Sequence, residues 1–165
     1  MSVTAAYFVN ELLIPGISGS QFSEVENLAT LNAIISKYQP KFLEMLLGED
    51  LYAEYAAAIA LSPTSGVWFD LQSQIYQAAT LESPIANYVY FKFWKNAATT
   101  TLKSGEAQSK FENSDTATIG VKMVRAWNEM VDQVDDIREW INDHASDYPT
   151  WGTETVETFT KIALC

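Results

Sequence analysis

Residues 83–101 read SPIANYVYFKFWKNAATTT, and residues 121–144 read VKMVRAWNEMVDQVDDIREWINDH. In the first stretch Ser83 is placed to cap a helix. Pro84 falls in its first turn, where a missing amide hydrogen costs nothing. Ile85, Tyr88, Val89 and Phe91 lie on adjoining faces of that helix and Tyr90, Phe93 and Trp94 on the others, so it is apolar nearly all round and belongs at the centre of a core or under another subunit. In the second stretch Val124, Trp127, Val131, Val134 and Ile141 follow a heptad, with Arg138 as the polar exception. Met123, Met130 and Ile137 run parallel to them, which makes a face broader than a coiled-coil seam. Asp132, Asp136, Glu139 and Asp143 line the opposite side. Two strong helical periods of this kind predict a mainly α fold, a helical bundle.

Between them, residues 101–120 carry no helical period and are rich in Ser, Thr, Gly, Lys and Glu. A structureless loop of that length inside a small domain is unusual, and such loops tend to be functional. The expectation is a projecting β-hairpin or extended arm turning at Ser104-Gly105-Glu106.

Upstream, Tyr7, Phe8, Leu12 and Leu13 leave a short helix open, but Pro15-Gly16 and Gly19 favour an N-terminal arm over residues 1–22. Ser23 to Glu26 reads as a capping box, opening a helix with Leu28, Leu31, Ile34 and Ile35 on one face. Pro40 is expected to break that helix. A second helix then covers Lys41 to Leu47, Gly48 takes a left-handed cap, and Asp50 starts the next helix. After the loop Ser62 to Gly66, Val67, Leu71, Ile75 and Ala78 share a face of another helix. Residues 23–148 form the helical domain with its arm at 101–120, and residues 149–165 are a tail without a decisive period.

The chain has 165 residues, 48% apolar and 13% aromatic, enough for one packed domain. No apolar run approaches the ~20 residues of a membrane span, and the N-terminal residues do not read as a signal peptide. Cys165, the single cysteine, cannot close an intrachain disulfide or form a prenylation motif. Formal net charge is −11, a balance that argues against wrapping nucleic acid; a surface kept soluble by excess carboxylates is the plainer reading, and a wall that repels passing DNA is the other. The charge is uneven. From Phe111 onward eleven acidic residues face four basic ones, whereas Lys92, Lys95, Lys103 and Lys110 are opposed only by Glu106 between Pro84 and Lys110. A locally basic arm can dock on the acidic body of a neighbouring copy; solvated lysines are the plainer alternative.

Motifs that carry chemistry are missing from this chain. One histidine and one cysteine cannot build a zinc site, Glu-x-x-His pairs for a di-metal bundle are absent, and the acidic helix lacks the glycine of an EF-hand. None of the seven glycines forms a phosphate loop. His144, beside Asp143 and Asp147, reads as a partner for terminal helix carbonyls. No catalytic, metal or cofactor residues are assigned, and the chain is not read as an enzyme.

The segments KYQPKFLEMLLGEDLYAEYAAAI (37–59), SPIANYVYFKFWKN (83–96), the polar arm and VKMVRAWNEMVDQV (121–134) resemble a family of small proteins of Bacteroidetes-infecting tailed phages, including crAss-like phages. Those proteins are similar to head–tail connector (adaptor) proteins. The resemblance covers Asn27 to Asp143. It implies a ring, commonly of twelve copies, beneath the portal protein in the virion, made in the host cytoplasm and passing the genome through its centre. On that reading Lys92, Lys95, Lys103, Lys110 and Phe111 meet an adjacent subunit, the portal or another tail protein. Asp132, Asp135, Asp136, Glu139 and Asp143 face the channel or solvent. Phe111 anchoring its own loop is the simpler alternative for that residue. A head-completion stopper, a tail terminator, and a small accessory enzyme or regulator of phage origin are the competing functions.

Overall fold

The computed structural model of the chain describes residues 2–17, 22–102, 105–108, 115–152 and 156–163. Five α-helices are found among them: α1 (Phe22–Leu47), α2 (Glu49–Ala60), α3 (Val67–Ile75), α4 (Pro84–Ala98) and α5 (Asp115–Asp143). The architecture is mainly α, as the two long periods require. Between α4 and α5, β1 (Thr99–Leu102) pairs antiparallel with β2 (Gly105–Gln108), Thr99 opposite Gln108 and Leu102 opposite Gly105. No helix among the described residues is long and apolar enough to cross a membrane.

Helix α4 is the hub, packed against both α5 and α1. Every residue from Ser83 to Tyr90 is buried. The Ser83 hydroxyl accepts from the Ile85 amide at 3.2 Å and so holds the start of the helix. The one polar side chain buried along its first turns, Asn87, donates through Nδ2 to Gln133 Oε1 of α5 at 2.9 Å, which satisfies the amide and fixes the two helices against each other. On α5, Met130, Val131, Val134, Ile137 and Ile141 are buried as the heptad predicts, joined by Ala126.

Several boundaries differ from the sequence reading. Helix α1 runs unbroken through Pro40 for 26 residues. A proline inside a helix costs about 3 kcal/mol, but Pro40 is exposed, and both halves of α1 bury apolar side chains in the same core: Leu31, Ile34 and Ile35 before it, Phe42, Leu43, Leu46 and Leu47 after it. Burial at roughly 1.5–3 kcal/mol per such side chain outweighs the local loss. The expected capping box also fails, because Ser23 lies inside α1, which starts at Phe22. Gly48 does have positive φ (81°), but at ψ 165° it is not a left-handed helical cap. That region is open essentially to glycine alone, and it reverses the chain so that α2 begins at Glu49. Ala78 falls beyond the end of α3 at Ile75. Helix α5 begins at Asp115, six residues before Val121, with Gly120 inside it. The span without helix is therefore shorter than residues 101–120.

Residues 2–17 pack into the domain and form no separate arm. Val3, Tyr7, Phe8 and Ile14 are buried in the common core, and two short 3-10 turns, Ala5–Tyr7 and Asn10–Leu12, shape the segment. Gln39 pins its start to α1, its Oε1 accepting from the Val3 amide at 3.0 Å and from the Ser2 hydroxyl at 3.1 Å.

Candidate assembly surface

A basic edge arises where α1 meets α4. Tyr38 and Tyr88 stack edge to face at 6.1 Å, and Lys92, one turn along α4 from Tyr88, lies over both rings, 5.4 Å and 4.9 Å from their centroids. Lys37 lies 5.0 Å from the Tyr38 centroid, and Lys95 lies 5.9 Å from that of Phe91. Cations over ring faces are held by the ring quadrupole while their stems cover apolar surface. Burial pulls the Lys92 ammonium below its ordinary value; the like charges of Lys95 and Lys37 add to that effect, against opposition from Tyr38 and Glu157. Three cations thus share one edge, and two of them, Lys92 and Lys95, are residues the sequence singled out.

Asp132, Asp135, Asp136, Glu139 and Asp143 are all exposed, and Asp132 pairs with Lys161 at 2.6 Å. The three arm residues assigned to an interface, Lys103, Lys110 and Phe111, lie outside the described residues, as does Cys165. His144 Nδ1 sits 2.8 Å from the Trp140 carbonyl, which can only accept, and its ring stacks on Trp140 at 4.3 Å. This is the helix-end role read from the sequence.

Residues 156–163 form an extended strap over α1 and α5. Phe159 packs against Phe42 of α1 (5.7 Å) and Trp127 of α5 (6.4 Å). Tyr88 of α4, in contact with both Phe42 and Trp127, completes an aromatic quartet. The strap's main chain is read by side chains of α5. Trp127 Nε1 donates to the Thr160 carbonyl at 2.8 Å. Asn128 makes a reciprocal pair with Ile162, donating from Nδ2 to the carbonyl at 2.9 Å and accepting the amide on Oδ1 at 2.8 Å. Arg138 Nη2 donates to the Glu157 carbonyl at 2.8 Å and to the Met45 carbonyl at 3.0 Å, and Nε reaches Leu46 at 3.4 Å. The last turn of α1 leaves carbonyls without helical partners, and Arg138 satisfies two of them while its guanidinium lies over Phe159 at 5.6 Å. Burial lowers the Arg138 pKa, with Asp135 and Glu157 opposing, but a guanidinium keeps its charge.

The sequence pointed at Arg138 as the polar residue on an apolar face without saying what it does. Asn128 and Phe159 it missed. The only signal was that Val156, Phe159 and Ile162 recur every third residue, a period that fits neither helix nor strand.

A cleft of about 480 Å³ opens between the N-terminal turns, the 80–83 loop and α5. Lys122 and Arg125 line it together with Glu11, Glu82, Glu129 and Asp132, so acids outnumber bases in its wall. Among the described residues no group of three or more His, Cys, Asp or Glu is arranged to hold a metal ion. Comparison with protein-family models, with curated proteins and with solved structures gives no match for this chain.

Proposed function

We propose that this chain is a structural virion protein that assembles with copies of itself into a ring at the head–tail joint of a tailed phage, linking the portal protein to the tail while the genome passes through. The observation that carries the assembly half of this reading is a lysine edge on α1 and α4 together with exposed carboxylates on α5. Lys37, Lys92 and Lys95 gather on the α1–α4 edge, and Asp135, Asp136, Glu139 and Asp143 are exposed on α5. A basic and an acidic patch on one subunit suit a head-to-tail interface, which builds a ring where its rotation closes. The place of the ring in the virion comes from the resemblance of residues 27–143 to phage connector proteins.

In this reading the insertion between α4 and α5 is a hairpin arm. Lys103, Lys110 and Phe111 engage an adjacent subunit or the portal. The acidic face of α5 borders the channel, where carboxylates keep DNA moving by repulsion.

Native mass spectrometry of the purified chain, alone and mixed with its portal, tests the proposal. A ring of identical copies that binds the portal is expected. A chain that stays monomeric and never binds the portal sinks it. Raising salt from 0.1 M to 1 M shortens the screening length from about 10 Å to about 3 Å, so the ring is expected to loosen; a ring indifferent to salt removes the charge argument.

A further inference from the structure

We propose that the seat formed by Phe42, Trp127, Asn128, Asp132 and Arg138 takes the 156–163 segment of a second copy, so that tails are exchanged between neighbouring subunits. The inference rests on the assembly reading above and adds the element that ties one copy to the next.

Three observations carry it. First, apart from the Asp132–Lys161 ion pair, the described hydrogen bonds from the seat to the strap go to the strap's main chain, at Glu157, Thr160 and Ile162, and an extended peptide offers the same groups whichever copy it comes from. Second, register is set at two separated points. Arg138 holds the Glu157 end and Asp132 holds Lys161, so a strap from another copy seats in one alignment. Third, the body of the chain is fastened just before the strap. Trp151 donates from Nε1 to Asn142 Oδ1 at 2.7 Å, and its amide reaches the Tyr148 carbonyl at 2.9 Å. The next residue, Gly152, has φ +81° with nothing within 4 Å of where a Cβ would stand. The chain therefore turns at a residue free to adopt another φ and in open space, which makes Gly152 a pivot. Exchange through such a pivot keeps every strap contact while linking subunits, which is why it is a low-cost route to assembly. The seat also needs an occupant, because Phe159 covers Phe42, a fully buried ring.

The ion pair supplies a built-in reporter. Lys161 Nζ and Asp132 Oδ1 lie 2.6 Å apart, close enough for a carbodiimide to join them in an amide bond with loss of water. Full-length chain grown with 15N and unlabelled chain are unfolded together in equal amounts, refolded, assembled and cross-linked. The Lys161–Asp132 peptide pairs are then weighed. Exchange predicts mixed-label and single-label pairs in equal amounts. Assembled particles that yield only single-label pairs overturn the exchange and leave the ring reading standing; failure to assemble overturns both. As a second arm, Gly152→Ala strains the turned-back strap through its backbone alone. At dilutions where the natural chain gives mostly single-label pairs, the variant is expected to raise the mixed-label share several-fold, and a share unchanged or lowered counts against the pivot.

Discussion

Helix α4 and the 156–163 strap are both held in place by α1 and α5, yet they are specified in opposite ways. Helix α4 carries its own instructions: a capping serine, a first-turn proline and apolar side chains on every face. The strap carries almost none, and its path is written in Arg138, Asn128 and Trp127, which belong to another element. A segment whose fold is encoded in itself resists change at its partners; one encoded elsewhere is lost when the reader is lost. The assembly reading places the second kind of segment at a subunit boundary, where release and recapture are useful.

The comparison breaks most visibly at α4. Ile85 is fully buried, and Ile85→Ala is expected to lower unfolding free energy by about 2–5 kcal/mol in a denaturant titration, the strap melting together with the domain. A change under 1 kcal/mol removes α4 from the role of hub.

Alkali probes the core away from the strap. Tyr55 of α2 is buried with its ring against Trp68 of α3, and burial raises its pKa to about 12, partly offset by Gln72 and Tyr76. The folded pKa exceeds the unfolded value near 10, so this stabilising term is intact below pH 10 and is lost as pH climbs toward 12. Near pH 12 the loss approaches roughly 2–3 kcal/mol. Tyr55→Phe is expected to flatten that part of the stability–pH curve, and an identical slope in the variant would show that another group drives alkaline unfolding.

Arg138→Met is the intermediate case. It removes charged hydrogen bonds to both α1 and the strap, at a cost of about 1.5–3 kcal/mol, and unlike Ile85→Ala it should open the strap to protease at concentrations that leave the core uncut. If domain and strap are lost together, the two segments are not separately specified. Asn128→Ala is expected to have the smallest effect, about 0.5–1.5 kcal/mol for each bond lost, read as faster hydrogen exchange at the Ile162 amide while buried amides of α4 keep their rates.

The same contrast governs how far the sequence could be read. The cap and aromatic run of α4 and the heptad of α5 are local patterns, and local patterns survive folding. Pro40 reads locally as a break, but the apolar residues packed on both sides of it override that propensity. The start of α5 at Asp115 was obscured by Ser, Thr and Gly, residues that look like loop until an adjoining helix extends into them. Of the surface, Lys92 and Lys95 were legible as a local basic bias, but their juxtaposition with Lys37 needed α1 to lie beside α4. The strap's seat joins residues from α1 and α5, distances along the chain that no local period can encode.

Arg138 also fixes an order of events. The carbonyls at the end of α1 wait for a side chain 92 and 93 positions downstream, so during synthesis α1 leaves the ribosome long before its cap exists. The end of that first long helix therefore stays open to water until residue 138 has been made. Contacts of such span form slowly. Arg138 thus both finishes α1 and seats residues 156–163, so the end of the helix and the strap wait for the same side chain.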